Sequence, residues 1–207
     1  MQKLVEEIKS LKNSEVGKTI NKRINEFKEL NKKPDEELFK ELCFCILTAN
    51  YNAEKTIKIQ NEIGECFSKD SEETLAKKLK DYGHRYPNTR AKYIVESCKS
   101  KDLLMKVIKS NYGNNLRDWI VNNIKGLGYK EASHFLRNIG FDDFAIIDFH
   151  IIDILVKHNM INKPKTLTRR KYLEIENLLR DLGEKTDITL AELDLYLWYL
   201  ETGKILK

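Results

Sequence analysis

Apolar residues recur at intervals of three and four along almost the whole of this 207-residue chain. That is the repeat of a helix with one buried face, and no stretch shows the alternation of a half-buried strand. Only three prolines interrupt the pattern. The expected fold class is therefore all-α. Pro34 followed by Asp35, Glu36 and Glu37 opens a helix, because proline suits the first helical position and early carboxylates suit the positive end of the helix dipole. That helix carries Leu38, Leu42, Cys43, Ile46 and Leu47 and closes near Asn50. Further helices are expected from Ala53 to Ile63, Ser71 to Lys80, Asn88 to Cys98, Asn114 to Asn123 and Tyr129 to Asn138, then from Phe149 to Lys157, Thr168 to Asp181 and Ile188 to Leu200.

No internal repeat, low-complexity run or long linker divides the chain, so residues 1–207 are expected to form a single functional unit. Helix count suggests two lobes within it. The N-terminal and last helices, about 1–50 and 165–207, would form one, and about 51–164 the other, which carries the hairpin described below. A cleft between lobes is where ligand sites preferentially form.

Composition narrows the class of molecule. Hydrophobic residues at 41% and charged residues at 33% suit a globular protein with a heavily solvated surface and exclude a disordered or fibrous one. No run of apolar residues is long enough to span a membrane, and the opening MQKLVEEIKS resembles neither a signal nor a transit peptide. An intracellular protein of the cytoplasm or nucleoid, with no membrane partner, is expected. The net charge of +5 permits a polyanionic partner without demanding one. Cys43, Cys45, Cys66 and Cys98 lack the paired spacing of a zinc or iron-sulfur site, so buried free thiols and no metal are expected.

The informative segment is Asn122-Asn123-Ile124-Lys125-Gly126-Leu127-Gly128-Tyr129-Lys130-Glu131-Ala132-Ser133. An apolar helix end, then Gly-Leu-Gly, then a new helix has the composition of a tight hairpin between helices. Gly126 and Gly128 are expected to take positive φ angles and to let the backbone approach another surface, with Leu127 anchoring the turn in the core. The amides that open the next helix lack partners within it, and such amides can hold a phosphate oxygen. An ordinary glycine-containing turn has the same composition. Lys130 falls in the first turn of that helix, where the dipole disfavours an ammonium, the condition a nucleophilic amine needs. Asp148 is a single carboxylate in the apolar stretch Ala145-Ile146-Ile147-Asp148-Phe149-His150. It reads as a helix N-cap, a role compatible with a carboxylate aimed at developing positive charge.

These two blocks resemble the signature of the helix-hairpin-helix DNA glycosylases: a glycine-containing hairpin, a lysine just beyond it and an aspartate after a short spacer. Cys45-Ile46-Leu47-Thr48-Ala49-Asn50-Tyr51-Asn52 and Arg90-Ala91-Lys92-Tyr93-Ile94 resemble two further segments of that family, and the likeness runs from about residue 36 to residue 160. The chain is most similar to the compact archaeal class of 8-oxoguanine DNA glycosylases, by its short length, its lack of iron-sulfur cysteines and its final Lys207. It departs from the family in two places, since the spacer before Asp148 has Gly140 but no proline and the extra N-terminal β-domain of the larger oxoguanine enzymes is not expected.

The resemblance implies a bifunctional glycosylase and lyase that acts as a monomer on double-stranded DNA containing oxidised guanine and needs no cofactor. Lys130 would be the amine nucleophile and Asp148 its carboxylate partner. Gly126, Leu127 and Gly128 would grip the DNA backbone, and Asn50 would fill the gap left by the flipped nucleotide. Phe144, Asp194, Trp198 and Lys207 are candidate contacts to the flipped base. Asp194 and Trp198 are four residues apart and share one helix face. The terminal carboxylate of Lys207 would accept the N7 hydrogen that only the oxidised base carries. Two alternatives stay open on the sequence: a glycosylase for another oxidised base, and a non-catalytic helix-hairpin-helix DNA-binding module.

Overall fold

The computed structural model describes residues 1–110 and 113–207. Twelve α-helices and one short 3-10 turn, Gly64–Cys66, account for its regular structure, and no strand occurs among the described residues. None of these helices is long and apolar enough to cross a membrane. The chain divides into two compact units, Met1–Asn31 with Leu136–Lys207, and Lys32–Phe135.

The first unit holds α1 (Gln2–Lys12), α2 (Glu15–Leu30), α10 (Phe149–Lys157), α11 (Arg169–Thr186) and α12 (Leu190–Thr202). Helix α12 packs on α1, α2, α10 and α11, which makes it the centre of that unit. Its start is secured by a capping box, with Thr189 Oγ1 accepting from the Glu192 amide and the Glu192 carboxylate accepting from the Thr189 amide. Helix α2 is stopped from running on into α1 by Ser14, whose hydroxyl accepts from the Val16 amide at 3.1 Å.

The second unit holds α3 (Asp35–Thr48), α4 (Ala53–Ile63), α5 (Glu72–Asp81), α6 (Pro87–Lys99), α7 (Lys101–Ser110) and α8 (Gly113–Asn123), and α9 (Tyr129–Asn138) begins in it. Helix α3 is its buried axis, with every residue from Leu42 to Thr48 buried. Pro34 stands at the cap position just outside that helix, followed by the expected acidic first turn.

The lobe boundaries expected near residues 50 and 164 differ from this division. Helix α3 packs with α4 and α6, which ties it to the middle of the chain, whereas α10 packs with α12 and so joins the termini. Helix α7 was also not expected. It follows α6 after Ser100 alone, yet buries Leu104, Met105, Val107 and Ile108 on one face. Helix α11 runs five residues past its expected end at Asp181, to Thr186, and closes on Asp187 in the left-handed region at φ 53°. All four cysteines are free thiols, but only Cys43 and Cys45 are buried. Cys66 and Cys98 are half-buried, with Cys66 Sγ accepting from Lys78 Nζ at 3.0 Å.

Candidate active site

The hairpin of the second unit joins α8 to α9 through Ile124-Lys125-Gly126-Leu127-Gly128. Leu127 is buried and anchors the turn as expected, and Ile124 before it is buried too. Gly126 has φ +87°, and a Cβ on it would stand 2.5 Å from Tyr93 Cδ2. Both conformation and space therefore require glycine there. Gly128 corrects the expectation that both glycines share this conformation, since its φ is not positive. A Cβ at Gly128 would meet nothing closer than Glu131 Oε2 at 3.4 Å, so what glycine provides there is bare backbone rather than a strained turn.

Gly126→Ala is thus expected to destabilise the fold by about 1–3 kcal/mol, the usual cost of a non-glycine residue forced into such a conformation. Gly128→Ala should leave stability near that of the parent. Thermal melts separate the two, and equal melting points would refute this difference.

Arg90 and Tyr93 of α6 lie beneath the hairpin. Arg90 Nη2 donates to the Ala49 carbonyl at 2.5 Å, which ties α6 to the turn after α3, and burial holds its guanidinium below the usual pKa. At that turn Asn50 is exposed and left-handed at φ 56°, a conformation asparagine tolerates better than most residues. Tyr51 steadies the same turn, its ring against His84 at 4.2 Å and its hydroxyl donating to the Gly83 carbonyl at 2.9 Å.

Lys130 is the second residue of α9, and its side chain is 28% exposed. Its Nζ lies 3.6 Å from Glu131 Oε1, while Glu131 Oε2 accepts the Gly128 amide at 3.3 Å. One carboxylate therefore neutralises the helix start and pairs with the amine.

The first unit carries Asp148, which caps α10. Its Oδ1 accepts the Ile151 amide at 3.0 Å, and the residue is half-buried. The extended residues before it are held by α11. Tyr172 Oη accepts the Ile147 amide at 3.2 Å and donates to the Ala145 carbonyl at 2.7 Å, while Glu176 Oε1 accepts the Ala145 amide at 3.0 Å. Tyr172 and Glu176 are buried, and the sequence carried no signal for them. Upstream, Gly140 has φ +93°, and a Cβ there would stand 3.1 Å from both the Lys28 Cα and the Phe27 carbonyl. The spacer's one glycine is therefore needed for close approach to α2.

The expected base contacts fare differently. Phe144 is 2% exposed, its ring 6.2 Å from that of Phe141, so it is a core residue with no open face for a base. Asp194 Oδ2 lies 3.5 Å from Nη1 of Arg137, a buried cation that also sits 4.6 Å from the Phe27 ring centroid. Neutralising a buried charge is a structural duty whose loss typically costs about 3–5 kcal/mol. Trp198 is half-buried, its indole Nε1 has no hydrogen-bond partner, and His150 meets its ring edge-on at 4.7 Å. Helix α12 ends at Gly203, φ +70°, and Lys207 is half-buried beyond it. No cluster of three or more metal-binding side chains occurs among the described residues.

The second unit thus carries the hairpin and an amine at the second position of the helix it opens, and the first unit carries the capped carboxylate of Asp148. Comparison with known proteins gives the same direction. The sequence model described as 8-oxoguanine DNA glycosylase matches residues 20–188. The chain is 56% identical over 207 residues to the 8-oxoguanine DNA glycosylase/AP lyase of Methanocaldococcus jannaschii, covering 99% of each. It is 52% identical to the protein of that name from Korarchaeum cryptofilum, over 99% of this chain and 98% of the other.

Among solved structures, the M. jannaschii glycosylase/lyase in complex with a 15mer DNA containing 8-oxoguanine matches with a TM-score of 0.95 at 55% identity, over 99% of both chains. The 8-oxoguanine DNA glycosylase of Thermotoga maritima matches with a TM-score of 0.93 at 41% identity, over 100% of this chain and 99% of the other. With the match spanning most of the sequence and relatives this similar from end to end, the chain belongs to the 8-oxoguanine DNA glycosylase family.

Proposed function

We propose that this protein is a bifunctional DNA glycosylase/AP lyase that removes 8-oxoguanine from double-stranded DNA. The observation that carries the reading is the placement of Lys130 at the second position of the helix that the hairpin opens. Backbone amides at the hairpin rim suit a DNA phosphate, so the amine follows directly on the phosphate grip.

In the reaction, the target nucleotide leaves the base stack, because its C1′ cannot be attacked within the duplex. The unprotonated amine of Lys130 attacks C1′, the C1′–N9 bond breaks and the base departs with the bonding pair. Asp148 stabilises the positive charge that develops on the sugar. Opening of the sugar ring gives the Schiff base between Lys130 and C1′. Loss of a C2′ proton then expels the 3′ phosphate, and hydrolysis frees the amine. Nicking of a panel of single-lesion duplexes, with borohydride trapping of the Schiff base, tests this. Absence of both nicking and trapping on the 8-oxoguanine duplex would overturn it, and unimpaired binding alone would indicate a DNA-binding module.

Trp198 and Lys207 are the base contacts we carry forward, with Asp194 supporting the pocket through Arg137 and Asn50 entering the gap left by the flipped nucleotide. A chain lacking Lys207 should excise 8-oxoguanine about tenfold more slowly, since losing one buried partner for a polar group typically costs about 1–3 kcal/mol. Cleavage of a preformed abasic site should persist, because that step reads no base. Equal excision by the two chains would remove Lys207 from the site.

A further inference from the structure

Phe149 is 66% exposed, the most exposed large hydrophobic side chain among the described residues. It opens α10 and directly follows Asp148. Its ring lies tilted against His150, centroids 3.9 Å apart at 36°, and His150 in turn meets Trp198 edge-on at 4.7 Å and 81°. Three aromatic rings thus run from the half-buried Trp198 out to Phe149, whose far face is open. A lone phenylalanine on a helix surface is free to rotate away, whereas this one is backed by a ring that is itself held by a third.

We propose that the open face of Phe149 stacks on the nucleobase adjoining the excised nucleotide. The inference rests on the reading that Asp148 serves the sugar of that nucleotide, which puts the next residue of the chain within one nucleotide step of it. Flipping a nucleotide strips its neighbour of a stacking partner and leaves an aromatic face in water. An aromatic side chain covers such a face whatever the base, because every base has one. Phe149 has no polar group with which to read sequence or lesion, so its contribution is to hold the opened duplex, not to choose the base.

The test uses a Lys130→Gln background, which cannot cleave, and duplexes that carry a stable abasic analogue with 2-aminopurine beside it. Phe149→Ala should weaken binding to this duplex by about tenfold, in line with base–aromatic stacking. Its binding to undamaged duplex should change little. Phe149→Tyr should restore binding and the quenching of 2-aminopurine that stacking produces, while Phe149→Leu, similar in bulk, should restore neither. Wild-type affinity in Phe149→Ala, or equal rescue by leucine and tyrosine, would overturn the proposal. Because these readouts need no turnover, they stand apart from the function assignment. That assignment fails only if the unmodified chain neither nicks nor traps 8-oxoguanine DNA.

Discussion

Lys130→Gln is expected to abolish both strand cleavage and borohydride trapping, lowering the rate by about a thousandfold or more, as removal of a covalent nucleophile does. The glutamine amide carries no nucleophilic lone pair at nitrogen, but it is long and polar and can still hydrogen-bond to Glu131, whose carboxylate lies beside the amine in the native protein. The hairpin, held by Ile124, Leu127 and the Gly126 turn, has no contact to lose. Duplex binding, measured by titration with an undamaged oligonucleotide, should therefore stay within about twofold, since surface ion pairs contribute little. Trapping at the native level by this variant would remove Lys130 from the mechanism.

Asp148→Asn is expected to slow base excision by about a hundredfold to a thousandfold, the usual loss when one electrostatic stabiliser of a charged transition state is removed. The substitution is discriminating because asparagine caps helices about as well as aspartate. Oδ1 can go on accepting the Ile151 amide, so α10 keeps its start and the melting temperature should scarcely move. What disappears is the charge. Single-turnover excision measured alongside thermal melts separates the two roles. If excision persists at the native rate, Asp148 serves only as a cap.

The all-helical class was legible because the apolar period persists through the chain, and α3, α9 and α10 were legible because each begins with a strong local signal: Pro34 and its acidic turn, the glycine hairpin, and Asp148. Helix α7 was missed because Ser100 alone separates it from α6, and one residue leaves no mark in the pattern. The two hairpin glycines looked equivalent in sequence, and only the fold distinguishes them, through the positive φ of Gly126 and the Tyr93 ring packed against it. Long-range partners were beyond reach. The Arg90 bond to Ala49 crosses 41 residues, and the Tyr172 and Glu176 bonds to the segment before Asp148 cross 25 to 31. Asp194 was singled out as a carboxylate near an aromatic residue, while its partner Arg137 lies on another helix with nothing local to connect them.

The Glu131 carboxylate bears on how the hairpin would meet a DNA backbone. In the free protein the Gly128 amide is already engaged by an anion, and that anion belongs to the protein. On the proposed reading, a DNA phosphate taking this amide would replace one negative partner with another, and the gain would be the difference between two similar contacts. Such an exchange would hold duplex less firmly than capture of a free amide would. The Lys130 amine sits against the other oxygen of the same carboxylate, so in the free protein the hairpin amide and the amine share one anionic partner.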